Sequence, residues 1–71
     1  PLARTLPKGI SLVVTQIFPQ PDPVNSMAVV NDLPVMIGTQ IDGAVVKDIL
    51  PDRVLFQIGQ TVYPVQVQSP Q

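Results

Sequence analysis

The sequence predicts an all-β fold, either a small sandwich or a partly open barrel of about six short antiparallel strands. With 12 valines, 6 isoleucines and 4 threonines, 22 of the 71 residues are β-branched, and such side chains pack well on a pleated surface. Nine prolines and four glycines interrupt the chain at intervals too short for a long helix. The apolar runs between them are short and regularly spaced, as in small sandwiches and barrels.

The length of the chain accommodates one domain, which we place at residues 10–67. Residues 1–9 (PLARTLPKG) form an extended lead-in and residues 68–71 a tail. Residues 10–18 (ISLVVTQIF) are the first predicted strand. Its alternation places Ile10, Leu12 and Val14 on one face, and Val13 and Ile17 on the other. A strand that is apolar on both faces is either covered on both sides or meets a partner.

Residues 19–23 (PQPDP) end the pairing of the first strand, because three prolines in five residues remove donors and favour polyproline II. The segment is a stiff linker or, alternatively, a ligand for an aromatic groove. Residues 26–30 and 33–37 are two strands joined by a tight turn at Asn31-Asp32, since both residue types tolerate positive φ.

The second half of the chain continues as a meander. Residues 38–43 (GTQIDG) are predicted to be a glycine-bounded loop, and Pro64 places the last strand at a sheet edge because proline cannot donate a ladder hydrogen bond. The remaining strands are residues 44–50, 53–58 and 61–67, joined by turns at Pro51-Asp52 and Gly59-Gln60.

The composition excludes most catalytic chemistry. The chain has no His, Cys, Trp or Glu, which removes imidazole bases, thiolate nucleophiles, His/Cys metal sites and disulfides. Four of the five aspartates fall at predicted turns, where Asp caps the backbone, and no serine has a base beside it. We therefore expect no enzymatic activity, cofactor, metal ion or small-molecule substrate. We also considered a surface ion pair between Asp48 and Arg53, with a partner contact by Arg53 as the alternative.

The charge pattern argues against nucleic acid as a partner. The formal net charge is −1, the four basic residues are scattered, and only three aromatic residues are present. The apolar runs are far shorter than the roughly 20 residues that span a bilayer, and no signal peptide is recognisable. Because the chain begins with Pro, we expect it to be a piece of a longer protein with any membrane anchor upstream.

The order of features resembles a known family. A strand ends in an aromatic and a Pro-Asp-Pro (FPQPDP, 18–23), a short apolar run closes with Asn (MAVVN, 27–31), and a strand leads to Gly38. A turn then leads into an apolar strand (ILPDRVLF, 49–56). This pattern, most specific at residues 49–54, resembles the periplasmic C-terminal domain of the type II secretion system protein B family. It is similar, more distantly, to the homology region of protein C and to the PilP lipoproteins of type IV pili.

The resemblance implies a non-enzymatic assembly protein, anchored in the inner membrane by a helix outside this chain, with this domain in the periplasm. Its expected partner is the N-terminal periplasmic domain of the outer-membrane secretin; other inner-membrane components of the system and peptidoglycan are further candidates. We place the contact on the first strand and its neighbour, where edge backbone meets apolar side chains. The candidate residues are Ser11, Val13, Thr15, Ile17, Met27 and Val29.

Two other functions are considered. One is a cell-wall or carbohydrate-binding module, which would rely on exposed aromatic rings, here Phe18 and Tyr63. The other is a pilus-assembly protein of the PilP kind, which differs in the secretin it binds.

Overall fold

Seven strands form two antiparallel sheets in the computed structural model, which describes residues 9–68. The first sheet has the order β1-β2-β3 and the second the order β4-β5-β6-β7. The fold is therefore all-β and open rather than a closed barrel, as the sequence predicts. The strands are β1 (Val14–Phe18), β2 (Met27–Val30), β3 (Leu33–Met36), β4 (Gln40–Ile41), β5 (Ala44–Ile49), β6 (Arg53–Ile58) and β7 (Thr61–Gln66).

Three of the hairpins have two-residue turns, and the backbone of each matches its residues. Asn31-Asp32 joins β2 to β3 with both φ angles positive, at 52° and 65°, the type I′ geometry that was expected. Gly59 has φ 62° and opens the turn between β6 and β7, as a type II′ turn requires. In both hairpins the turn sets the register of the strands that follow.

The third hairpin corrects a prediction. Residues 38–43 are not simply a loop, because Gln40–Ile41 pair with Ala44 and Val45 as the short strand β4. The turn between them is Asp42-Gly43, with φ angles of 50° and 80°. Asp-Gly is among the strongest signals for such a turn, so the sequence did carry this hairpin.

The first strand is shorter than predicted. It begins at Val14 rather than Ile10, although Leu12 is buried and Ile10 packs against the core. The proline-rich link that follows is exposed and contains a 3₁₀ turn (Pro23–Asn25) capped by the Asp22 carboxylate, which accepts the N–H of Val24 at 3.3 Å. The predicted lead-in and tail lie almost wholly outside the described residues, which include only Gly9 and Gln68 of them.

One apolar core lies between the two sheets. The first sheet contributes Val14, Ala28, Val30 and Val35, and the second contributes Val46, Ile49, Val54 and Phe56 among others. Phe56 is the largest fully buried side chain. The second sheet ends in β7, so Pro64 does lie at an edge, opposite Leu55 of β6.

Backbone hydrogen bonds join the two sheets at two places. After β3 the chain passes β5, where the N–H of Gly38 donates to Val46 O at 2.8 Å and the N–H of Val46 donates to Thr39 O at 2.9 Å. At the other side Val14 forms a parallel bridge with Val67, and the N–H of Gln68 donates to Val14 O at 2.8 Å. The sheets are thus connected at both sides.

Candidate functional site

A β-bulge in β1 decides which side chains the first strand presents to solvent. Val14 pairs with Val30 and Gln16 with Val29, so Thr15 is an extra residue in the strand. Such a residue shifts the alternation of all that follow. Ile17 therefore lies opposite the buried Ala28 and packs against the core. Its predicted position on the face opposite Val14 is wrong.

The six predicted contact residues consequently occupy three different environments. Ile17 belongs to the core side of the sheet. Ser11 and Val13 precede β1, and Thr15 lies in the bulge with its hydroxyl 3.4 Å from Val29 O. Met27 and Val29 project from the opposite side of the sheet, away from the core. The structure places these residues in or beside the first sheet, but at both of its ends and not on one face.

Asn31 attaches the residues before β1 to the β2–β3 turn. Its Oδ1 accepts the N–H of Val13 at 2.9 Å, and its Nδ2 donates to Ser11 O at 2.8 Å. The backbone N–H of Asn31 also donates to Val13 O at 2.9 Å. Ser11 and Val13 are therefore held by one residue, through its side chain and its backbone, a role that sequence reasoning missed because it assigned Asn31 only to the turn.

The side chains that project away from the core form a surface that we call the outer face. Cross-strand partners share a face in an antiparallel sheet. The pairs Phe18–Met27 and Met27–Met36 therefore make one row across all three strands. These three side chains are 45%, 38% and 39% exposed. The outer face consists of Gln16, Phe18, Met27, Val29, Pro34 and Met36.

Sequence reasoning did not single out Met36, and it assigned Phe18 only to carbohydrate binding. The register of the β2–β3 hairpin, once fixed by the Asn31-Asp32 turn, places Met27 opposite Met36. That turn was recognisable in the sequence, so this pair could have been found. The bulge that places Phe18 in the same row has no local sequence signal.

The backbone of β1 is open at its outer edge beyond Val14. Hydrogen-bonded pairs alternate with non-hydrogen-bonded pairs along an antiparallel ladder. The backbone N–H and C=O of a residue in a non-hydrogen-bonded pair point away from the partner strand. Gln68 bonds to Val14 O from the outer side, so the backbone groups of Val14 point away from β2. In a regular strand the next outward residue would be Gln16, but the extra residue Thr15 shifts that position to Ile17. The N–H and C=O of Ile17 therefore point outward. None of the described strands pairs with Ile17 from that side.

The edge of β3 is closed to hydrogen-bond acceptors. Val30 and Leu33, which flank the turn, form a hydrogen-bonded pair, so Pro34 and Met36 belong to non-hydrogen-bonded pairs. Their backbone groups therefore point away from β2, toward the outer edge of β3. Pro34 has no N–H, and the N–H of Met36 donates to the Thr39 hydroxyl at 3.0 Å. Of the two edges of this sheet, β1 is therefore the one that offers a donor to an added strand.

Charges around the outer face are acidic. Residues 9–46 contain Asp22, Asp32 and Asp42 but no Lys or Arg. Asp22 lies in the link beyond the Phe18 end of the sheet, and Asp32 lies in the turn at the opposite end. Both ends of the outer face are thus negatively charged, while the face itself carries no charge.

The described ion pair differs from the one considered. Arg53 donates from Nε and Nη2 to the two carboxylate oxygens of Asp52, both at 3.1 Å, whereas the Asp48 carboxylate accepts the N–H of Ile49 at 2.8 Å. Asp52 and Arg53 are neighbours at the β5–β6 turn, and this proximity favours the bidentate pair between them. The hydrogen bond from Arg53 lowers the pKa of the Asp52 carboxyl, and the carboxylate raises that of Arg53.

Four of the five aspartates are dispersed among the turns and caps of the fold. Among residues 9–68, no three acidic side chains come together, and the aspartates at positions 22, 32, 42 and 52 lie at turns or caps as predicted. A shallow depression of about 250 Å³ lies along the β4–β5 hairpin. Phe18 and Tyr63, the two rings considered for carbohydrate stacking, lie on different sheets.

Comparisons of the chain with protein-family models, curated proteins and solved structures find no match. In the part of the chain that the structure describes, no helix is long and apolar enough to cross a membrane. The candidate site consists of the β1 edge and the outer face of the first sheet.

Proposed function

We propose that this chain is a non-enzymatic scaffold domain of a type II secretion system. In this role it binds the N-terminal periplasmic domain of the outer-membrane secretin and tethers the secretin to the inner membrane. Two things support the proposal: the order of sequence features, which resembles the protein B family, and the open edge of β1 beside an uncharged surface. The open edge of β1 is the structural observation that supports the proposal, because edge strands are a common docking site for an added strand.

The proposed contact is the β1 edge and the side chains around it. The outward N–H and C=O of Ile17 would pair with the backbone of the secretin domain. Ser11, Val13 and Thr15 would line one side of the added strand. Met27 and Val29 would extend the contact onto the outer face. The Ile17 side chain itself serves the core, so its role in binding is assigned to its backbone.

The domain would lie in the periplasm, held by an inner-membrane anchor that is not in this chain. Other inner-membrane components of the same system are further partners under this proposal. A PilP-like role in pilus assembly would use the same kind of contact with a different secretin. Titration against both secretin domains distinguishes these two assignments.

The proposal is tested by NMR titration of the ¹⁵N-labelled domain with the isolated N-terminal periplasmic domain of its cognate secretin. We expect saturable shifts that cluster on residues 11–17 and 27–30. A Thr15→Lys variant should weaken binding at least tenfold, because a lysine on an edge strand obstructs strand addition. Thr15 is exposed, so this variant should retain the fold.

The matched control is Gln60→Lys, which adds the same charge at an exposed turn of the other sheet. Its affinity should equal that of the wild type. Equal weakening by both variants would indicate a general charge effect and remove β1 as the site. No shift at high micromolar concentrations of the secretin domain would contradict the proposed partner. Peptidoglycan fragments would then be added to the domain while the NMR signals of Phe18 and Tyr63 are followed.

A further inference from the structure

We infer that the outer face of the first sheet is a second docking surface, and that its occupant is a short amphipathic helix of a partner protein with Lys or Arg at both ends. The inference goes beyond secretin binding at the β1 edge. Because the outer face shares Met27 and Val29 with that proposed contact, it is tested with a probe that is not a secretin domain.

The composition of the outer face indicates an apolar occupant. Both methionines of the chain, and one of its two phenylalanines, stand side by side in a single exposed row. Methionine is flexible and polarisable, and it is over-used at surfaces that accommodate apolar partners. The buried core has enough β-branched residues to be filled without these three side chains, so the row is not required for packing inside the domain.

The area of the outer face indicates a small occupant. The strands have five, four and four residues, and at a spacing of about 4.8 Å they cover roughly 200 Å². A stable protein–protein interface buries about 800 Å² per partner. The outer face alone is thus too small to hold a second copy of this chain in a stable dimer. It matches the length of a helix of two to three turns, about 11–16 Å.

The hydrogen bonding of the sheet indicates a helix. The backbone N–H and C=O groups of a sheet lie in its plane and point along the ladder, so an open face offers none of them to an occupant. A segment that covers the face must therefore satisfy its own backbone groups, as a helix does and a lone strand does not. The edge of β1 suits a strand, and the outer face suits a helix.

The charges indicate basic residues at the ends of that helix. Asp22 and Asp32 lie beyond opposite ends of the outer face, and residues 9–46 contain no base. A second copy of the same face would bring acid against acid. Lys or Arg at both ends of the helix would instead complement the two carboxylates, which favours the encounter and aligns the helix axis with the line between Asp22 and Asp32.

The test uses the 71-residue chain labelled with ¹³C at the methionine methyl groups, so that its two methionines report directly on the outer face. The probe is a 14-residue synthetic peptide with Leu at helical spacing and two Lys at each end. We expect saturable shifts of both methionine signals, with a Kd below 1 mM. A peptide with Glu in place of Lys should bind at least tenfold more weakly, as should a scrambled peptide of the same composition.

Variants of the protein identify the surface. Met36→Lys should lower the affinity of the domain for the Lys-ended peptide at least tenfold. The control is Leu33→Lys on the same strand: Leu33 is 56% exposed but pairs with Val30, so it projects from the other face. Equal loss in both variants, equal binding of the Lys- and Glu-ended peptides, or no shift at millimolar peptide would overturn the inference.

Two further outcomes distinguish the helix from a second copy of this chain and from the secretin domain. Methionine shifts that depend on protein concentration without peptide would assign the face to a second copy, and so would reject the helix. A Thr15→Lys variant that keeps peptide binding but loses the secretin domain would separate the two surfaces. If secretin binding fails and peptide binding persists, the proposed function is wrong and this inference stands.

Discussion

Asn31 combines a backbone role with a side-chain role. Its φ of 52° is one that most residues adopt only with strain, and its amide bonds to both Val13 and Ser11. The half-buried N–H of Val13 has this amide oxygen as its partner. Loss of the side chain would therefore affect the turn and also the residues that lead into the β1 edge.

Two substitutions at this position separate the two roles. Asn31→Gly keeps the positive φ but removes the two side-chain hydrogen bonds, and should lower the free energy of unfolding by about 1–3 kcal/mol. Asn31→Ala adds the strain of a left-handed alanine and should cost about 1 kcal/mol more. Urea unfolding followed by far-ultraviolet circular dichroism measures both.

Asp32→Gly is the matched control, because Asp32 has the same backbone conformation, with φ 65°, and is exposed. It creates the Asn-Gly pair favoured in type I′ turns, so its stability should stay within about 1 kcal/mol of the wild type or exceed it. Equal destabilisation by Asn31→Gly and Asp32→Gly would show that the amide contributes nothing.

At the scale of elements, the turns were predictable and the bulges were not. Asn31-Asp32 and Gly59-Gln60 have the residues that their turn geometries demand, and Pro64 identifies an edge strand. The Asp42-Gly43 hairpin was missed although its residues signal it, since β4 is only two residues long. Local chemistry therefore accounts for most of the strand order.

The candidate site was less accessible to the same reasoning. The bulge at Thr15 follows from pairing with β2, where the flanking pairs Val14–Val30 and Gln16–Val29 are 16 and 13 residues apart. Thr15 is neither glycine nor an unusual residue for a strand. Strict alternation over residues 10–18 predicts Ile17 on the face opposite Val14, whereas the bulge places both on the core side. A second bulge in β5, between Val46 and Asp48, was equally invisible.

Deletions in β1 test the bulge directly. Removing Thr15 leaves every pair from Val14–Val30 to Phe18–Met27 in place, so the loss of stability should be about 1 kcal/mol or less, typical of a mild change. Removing Ile17 would move Phe18 opposite Ala28 and reverse the faces beyond that point. That deletion should cost about 3 kcal/mol or more.

Urea unfolding gives the two free energies, and ¹H–¹⁵N spectra report whether the β2 signals are retained. A Thr15 deletion that unfolds the protein, or an Ile17 deletion as mild as that of Thr15, would contradict the assigned register.

At the scale of the whole molecule, stability depends on a small core. A chain of 71 residues is expected to have a free energy of unfolding of about 4–10 kcal/mol. Phe56 is the one aromatic side chain in that core and is fully buried between the sheets. It lies on β6, in the middle of the second sheet, where it is opposite Val46 on one side and Tyr63 on the other.

Phe56→Ala should therefore remove about 3–5 kcal/mol, a large part of the total, and leave a detectable unfolded fraction at 37 °C. The control is Leu55→Ala on the same strand, where the side chain is half-buried on the opposite face; its cost should be near 1 kcal/mol. Thermal and urea unfolding measure both variants. Similar costs for the two would mean that the second sheet does not cover the core as described.

The distribution of prolines among the edges limits the size of assemblies that the domain can form. A subunit that adds to its neighbours through strands builds a filament only if it is bivalent, with one open edge for each neighbour. Within residues 9–68, β1 has an open edge at Ile17, whereas Pro34 and the Met36–Thr39 hydrogen bond close β3, and Pro64 interrupts β7. The first sheet is in this sense monovalent. A strand bound at β1 leaves no second donor edge on that sheet, so growth through the first sheet stops at a pair.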